Sequence, residues 1–170
     1  MGIFDKLFGG KEPAQPGAGT QGAVPVGAPR RISYDPQLVG SLTQDHEHLV
    51  ALYRRIGVLL EESRLDELRN ELVNFKTRFE AHVLTENVRF YVYLEQHLTD
   101  GHDAEVILDF RREMNGIARA VVAFVKRYQS VEFDAATVAR LREDYASILA
   151  ALSQRLEREE GALYPLYRDL

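Results

Sequence analysis

Five ionisable residues in this sequence occupy places that apolar side chains otherwise fill. His46, His82, Glu86, Arg155 and Glu159 fall within stripes of Leu, Ile, Phe and Tyr that recur every three or four residues. Burying a charge in such a stripe costs on the order of several kcal/mol unless it is paired or coordinates a metal. Imidazole and carboxylate groups together are a competent donor set for iron, zinc or manganese. Residues four apart share a helix face, so His82 and Glu86 can grip one ion together. A guanidinium cannot join them as a ligand, because it stays protonated. It offers carboxylates a planar fork instead. The chemistry within reach is metal coordination, buried ion pairing, or both.

Positioning these residues falls to four long amphipathic segments. In the first, Val39, Leu42, His46, Leu49, Tyr53, Ile56 and Leu60 alternate steps of three and four. Asp35-Pro36 reads as an N-cap followed by proline at the first helical position. Ser63 to Asp66 has the spacing of a capping box that restarts the chain. The second stripe is Leu68, Leu72, Phe75, Phe79, His82, Glu86, Phe90 and Tyr93, and Asp100-Gly101 breaks it. Ile107, Phe110, Met114, Ile117, Val121, Phe124 and Tyr128 form the third. Asp134 can cap the last segment, whose stripe is Val138, Leu141, Tyr145, Ile148, Leu152, Arg155, Glu159, Ala162 and Leu166. No segment alternates with period two over a useful length. The expected fold is all-α, an antiparallel up-down-up-down four-helix bundle.

An internal repeat ties the polar residues together. His82, Glu86, Phe90 and Tyr91 line up with Arg155, Glu159, Leu163 and Tyr164 at a constant offset of 73, and Leu42, His46 and Leu49 with Phe110, Met114 and Ile117 at 68. The bundle thus reads as two copies of one hairpin. Each brings a residue from its first helix and an i, i+4 pair from its second, the arrangement that builds a dinuclear site in a bundle core. His48 is expected on another, exposed face, and His97 and His102 flank the Asp100-Gly101 turn as a surface pair. Arg111-Arg112-Glu113 and Glu157-Arg158 read as solvated faces.

Outside the bundle the composition changes. Residues 1–33 hold seven of the 12 glycines and four of the six prolines, and carry a net charge of +2 against −7 for the remainder. Such a segment cannot bury enough apolar surface to offset its ordering entropy, so Gly9 to Arg31 reads as a flexible tether. Two domains follow, a tail of residues 1–33 and a bundle of 34–170. At the start of the tail Ile3, Phe4, Leu7 and Phe8 share one side of a two-turn helix, a docking peptide for a membrane surface or a partner groove. Two turns are too short to be stable alone.

With 45% apolar and 28% charged residues the chain is of globular composition. The absence of cysteine excludes disulfides, thiolate metal sites and a thiol nucleophile. A net charge of −5 argues against nucleic acid as a partner. There is no membrane-length apolar run and no secretory leader pattern, so the expected location is cytoplasmic.

On Asp45-His46 with Leu49, His82-x-x-x-Glu86, and Glu159-Glu160 leading to Leu163-Tyr164-Pro165-Leu166, the region 38–168 resembles the hemerythrin-like family, the HHE cation-binding domains. That resemblance implies a diiron centre. Its ligands would be a histidine from the first helix, His-x-x-x-Glu from the second, a histidine from the third and His-x-x-x-Glu from the fourth. Carried over, His46, His82, Glu86 and Glu159 are candidate metal ligands, while Met114 and Arg155 stand where two histidines belong. A thioether is a poor ligand for iron. Three states follow: no metal, with an Arg155 ion-pair network in its place; a single ion; or a full diiron site. A lone histidine in an apolar stripe can also be a satisfied core residue, and Arg155 can snorkel outward. The expected function is a regulatory or protein-interaction module with an incomplete diiron site and an unknown protein partner. The alternative is a metal-binding oxygen or redox sensor. No catalytic residues are expected, since the pattern of a serine nucleophile and that of a phosphate loop are both missing.

Overall fold

The computed structural model describes residues 31–98 and 100–168. The tether and the Ile3/Phe4/Leu7/Phe8 peptide therefore lie outside the described residues, except for the last few of the tail. At that end packing reaches back to Ile32, whose backbone N–H donates to Gln96 Oε1 at 2.8 Å. All described secondary structure is helical: α1 (Leu38–Glu61), α2 (Leu65–Thr85), a π turn (Glu86–Phe90), α3 (Tyr91–His97), α4 (Gly101–Tyr128), α5 (Ala135–Arg158), a second π turn (Glu159–Leu163) and a 3₁₀ turn (Tyr164–Leu166). With α2 and α3 running on through the first π turn, these make the four segments of an up-down-up-down bundle. No helix among the described residues is long and apolar enough to cross a membrane.

The helix ends show where local pattern and geometry part. Asp134 caps α5 as expected, its side chain accepting from Thr137 N–H at 2.7 Å. Asp35 instead caps the turn ahead of α1, accepting from Gln37 N–H at 2.9 Å, so the helix starts at Leu38 and not at Pro36. The expected capping box at Ser63 does not form, because Ser63 sits at φ 56° and the N-cap of α2, Arg64, makes no side-chain cap bond. Ser63 closes α1 rather than opening α2. Its N–H bonds Leu60 C=O and that of Arg64 bonds Leu59 C=O, the pairing of a Schellman motif with a left-handed residue after the helix.

The two π turns shift the core face. Tyr91 N–H bonds the carbonyl of Glu86 and Tyr164 N–H that of Glu159, five residues back in each case. Each turn accommodates one extra residue, so the buried set downstream moves by one. Leu163, Tyr164 and Tyr167 are buried, whereas Ala162 is exposed and Leu166 half-buried, against the regular spacing expected for the fourth stripe. Before its π turn, α5 buries only Leu141 and Arg155 fully. Its Tyr145 stacks on Tyr53 of α1 at 4.7 Å, and each hydroxyl donates to the other residue's carbonyl. Gly57 leaves room for this clasp, since a Cβ there would lie 2.5 Å from the Tyr145 hydroxyl.

The apolar core falls into two clusters. One runs from Leu49 through Phe75, Phe79 and Met114 to Leu141. The other gathers Leu38, Leu42, Phe90, Phe110 and Leu163. In sequence the polar residues fall between them on three of the four segments: His46 between Leu42 and Leu49, His82 and Glu86 between Phe79 and Phe90, Arg155 and Glu159 between Leu141 and Leu163.

Candidate metal centre

All five polar stripe residues are buried, at 0–3% exposure. Arg155 does not snorkel. The π turns explain part of the arrangement: each lies just past an i, i+4 pair, and places Tyr91 or Tyr164 one π-helical turn beyond Glu86 or Glu159. Four donor atoms, one each from His46, His82, Glu86 and Glu159, lie within 4.8 Å of one another. His46 Nε2 stands 3.2 Å from His82 Nε2 and 3.3 Å from Glu159 Oε2, and His82 Nε2 stands 3.8 Å from Glu86 Oε2. The Tyr164 hydroxyl joins this group, donating to Glu86 Oε1 at 3.0 Å and lying 3.1 Å from His46 Nε2.

Outward of the donors, each imidazole turns its Nδ1 toward a carboxylate. For His46 this is Glu160 Oε1 at 2.8 Å, and for His82 it is Asp45 Oδ2 at 3.7 Å. The carboxylate hydrogen-bonded to His46 Nδ1 favours the tautomer whose Nε2 lone pair faces inward, the usual support of a metal-bound histidine. Asp45 stands beyond hydrogen-bond reach, and His82 Nδ1 has no hydrogen-bond partner among the described residues. Glu86 Oε2 has no hydrogen-bond partner among the described residues. An unpartnered buried carboxylate oxygen beside the His82 Nε2 is what a bound cation would satisfy. The four residues therefore fit one ion.

They do not fit a second. Met114, buried at 3%, and Arg155 take the corresponding places in the other hairpin. Arg155 Nε donates to Glu159 Oε1 at 2.6 Å, Nη1 to the Phe110 carbonyl at 3.0 Å and to Glu113 Oε2 at 3.1 Å, and Nη2 to the Tyr91 hydroxyl at 2.7 Å. The guanidinium also lies over the Phe110 ring at 4.8 Å. Its donors are thus spent on oxygens of Glu159, Phe110, Glu113 and, from the first hairpin, Tyr91, and it occupies the place a second cation would need.

Protonation follows from burial and these neighbours. Burial, then the His46 charge, pull His82 down to about 4, which leaves it neutral and free to bind a metal. Burial, then the Glu159 charge, push Glu86 up to about 8. Burial works against the charge of Glu159, but the hydrogen bond from His46 and the Arg155 charge outweigh it and hold this carboxyl below its usual range. His46 is raised, because its bonds to Glu159 and Glu160 outweigh its burial. Metal-free, the centre is therefore Arg155 against an ionised Glu159, with His46 held above its usual range and Glu86 largely protonated at neutral pH.

Beside these groups lies an apolar cavity of about 70 Å³, lined in part by Leu49, Phe79, Met114 and Leu152 and reaching His82, Arg155 and Glu159.

The family model for the hemerythrin HHE cation binding domain matches residues 37–167. The chain belongs to this family. Neither the curated proteins nor the solved structures give a match. As a hemerythrin-like domain it keeps the family's bundle and a partial cluster of His and Glu groups able to hold a metal.

The structure brings together every candidate residue named from the sequence. It adds Tyr164, Tyr91, Asp45, Glu160 and Glu113, whose roles the stripes do not reveal. Glu113 corrects an expectation: the stretch Arg111-Arg112-Glu113 is no solvated face throughout, since Glu113 pairs with both Arg155 and the half-exposed Arg158. Both contacts join residues more than 40 apart, so no local pattern marks them. His48 is exposed as expected. His97 stacks on Tyr93 at 4.2 Å and faces its carbonyl, and belongs with His102 to no metal-binding group among the described residues.

Proposed function

We propose that this hemerythrin-like domain is a regulatory or protein-interaction module built around a half-complete centre, in which His46, His82, Glu86 and Glu159 hold one transition-metal ion and Arg155 stands permanently in place of the second. The observation that carries this reading is the gathering of donor atoms from His46, His82, Glu86 and Glu159 within 4.8 Å of one another, with Glu86 Oε2 unpartnered among the described residues and 3.8 Å from His82 Nε2. When bound, the ion would supply a Lewis-acidic centre, redox-active if it is iron. The chain's own residues do the rest. Arg155 keeps Glu159 ionised and oriented; His82 needs no deprotonation to bind; Glu86 and His46 each exchange a proton for the ion. Occupancy would thereby link three of the four segments through one point, which is how a metal can bias a bundle toward a partner.

A second reading, oxygen or redox sensing at the same ion, is favoured by the apolar cavity that reaches the ligands. It has room for a molecule of a few atoms. Elemental analysis and an anaerobic titration with ferrous, zinc and manganous ions test the proposal. One ion per chain, lost together with binding in Glu86→Ala, is expected. Failure to bind any of the three would leave the ion-pair network around Arg155 as the whole content of the site, and two ions per chain would refute the role given to Arg155.

A further inference from the structure

The repeat that relates the two hairpins also relates Tyr91 to Tyr164, and the two hydroxyls do not have equivalent neighbours. Tyr91, from the first hairpin, reaches across to the second and accepts from the guanidinium of Arg155 at 2.7 Å. A cation therefore already sits at the end of Tyr91. Tyr164, from the second hairpin, reaches across to the first in the same sense. There it meets His46 Nε2 at 3.1 Å and Glu86 Oε1 at 3.0 Å, with no guanidinium among the described residues playing the part of Arg155.

The distances about His46 point the same way. His82 Nε2, Glu159 Oε2 and the Tyr164 oxygen lie 3.2, 3.3 and 3.1 Å from His46 Nε2. Donors that share an ion at bond lengths of about 2.0–2.2 Å stand about 3 Å apart when they are neighbours in its shell. The Tyr164 oxygen keeps that spacing as well as the two other donors do. It is also fixed there: the residue is 4% exposed, its ring stacks on His46 at 5.5 Å and meets Phe90 edge-on at 5.2 Å. The π turn at Glu159–Leu163 is what aims it, since an uninterrupted α-helix would turn residue 164 well away from the face of residue 159.

We infer that Tyr164 is a fifth ligand of the single ion, its phenolate oxygen joining His46, His82, Glu86 and Glu159. This rests on the one-ion reading above. Coordination releases the phenolic proton, now donated to Glu86, to solvent; no electron moves. Three oxygens and two imidazoles make a hard donor set that favours ferric over ferrous iron. Tyr91 is excluded from the shell by the guanidinium it holds.

The experiment uses the full chain, loaded with ferrous iron without oxygen and then oxidised with one equivalent of ferricyanide per iron, which takes one electron from each. Iron content, the visible spectrum and resonance Raman scattering are read for the parent chain, Tyr164→Phe and Tyr91→Phe, with circular dichroism to check folding. The expected result is one iron per chain, a visible phenolate-to-iron band with enhanced phenolate ring modes, and loss of both in Tyr164→Phe. That variant should still bind iron, weaker by about tenfold or more, and Tyr91→Phe should keep the band. Iron bound with no such band, or with a band that survives Tyr164→Phe, would overturn the ligand assignment and leave the one-ion reading standing. A chain that takes up no iron would overturn the ligand assignment, and one that also takes up neither zinc nor manganese would overturn the one-ion reading with it.

Discussion

The two hairpins descend from one pattern and have diverged into two kinds of cation site. In the first, His46, His82 and Glu86 keep their donors, and one carboxylate oxygen is left without a partner. In the second, Met114 and Arg155 replace the imidazoles, and each guanidinium nitrogen has an oxygen partner. Glu159 is shared, with Oε2 facing His46 and Oε1 facing Arg155. The difference teaches that in a bundle of this kind a guanidinium can supply one fixed positive charge at a place where the family's pattern has a metal-binding histidine. A guanidinium is a cation that cannot dissociate, so it fixes one half while the other stays free to exchange.

The strongest test restores the symmetry. Met114→His with Arg155→His should complete the second ligand set and raise uptake from about one ion per chain to about two, the number a dinuclear site requires. A second site of micromolar affinity corresponds to about 8 kcal/mol. Met114→His alone should do little, because Arg155 keeps a fixed positive charge nearby, and like charges at about 4 Å repel by several kcal/mol at an effective dielectric near 20. A folded double variant that still binds one ion would show that the second hairpin's backbone has drifted from ligand geometry.

Removing the internal cation without replacing it should be the next largest effect. Arg155→Ala strands the buried Glu159 carboxylate, takes a partner from Glu113 and Tyr91, and should cost the metal-free chain roughly 3–5 kcal/mol in denaturant unfolding. Arg158→Ala is the matched control, since that residue pairs with the same Glu113 at 2.6 Å but is 45% exposed. Its loss should stay below about 1 kcal/mol. Equal losses in the two variants would mean that burial of Arg155 adds nothing.

Titration sharpens the contrast from the other side. Glu86 is raised to about 8, so below that pH an incoming ion must displace its proton, and His46, also raised, has a second to lose. Affinity should climb with pH by about tenfold per unit for each proton displaced, about 1.4 kcal/mol each, and the share due to Glu86 should level off above about 8. In the metal-free chain the sign reverses. A carboxyl raised on folding stabilises the fold below its unfolded value, and that contribution fades as pH rises from about 4.5 to about 8. Glu86→Gln should remove this fall and lower the pH dependence of whatever binding it leaves by the one proton that Glu86 gives up. Calorimetric titration at several pH values and unfolding at pH 5 and 8 measure both.

How much of this the sequence carries varies with the range of the contact. Period and polarity suffice for four helices and for the five buried polar residues, because each stripe is local and each exception stands out against Leu and Phe. The repeat suffices to pair His82 with Arg155. The π turns are hidden, although the second stripe holds a trace of one: His82, Glu86 and Phe90 step by four twice in succession, where the pattern elsewhere alternates. The fourth stripe holds no such trace, and its expected burial of Ala162 fails there. Glu113 could not be found at all, since a charged residue beside two arginines looks solvated until the fold brings Arg155 beneath it.

The hairpins differ also in how they turn, and this gives the smallest effect. Between α4 and α5 the chain relies on a side-chain cap, Asp134 accepting from Thr137 N–H. Between α1 and α2 it relies on backbone geometry, with Ser63 in the left-handed region and bonds from Ser63 and Arg64 N–H back to Leu60 and Leu59. A left-handed non-glycine residue costs about 1–2 kcal/mol, and glycine relieves it at an entropic cost of about 0.5–1 kcal/mol. Ser63→Gly should therefore stabilise the chain by about 0.5–1 kcal/mol. Ser63→Ala should be near neutral, because the hydroxyl caps nothing, whereas Asp134→Ala should lose about 1 kcal/mol. If Ser63→Ala lost as much as Asp134→Ala, the serine would be capping α2 after all, and the two turns would be alike where the geometry makes them different.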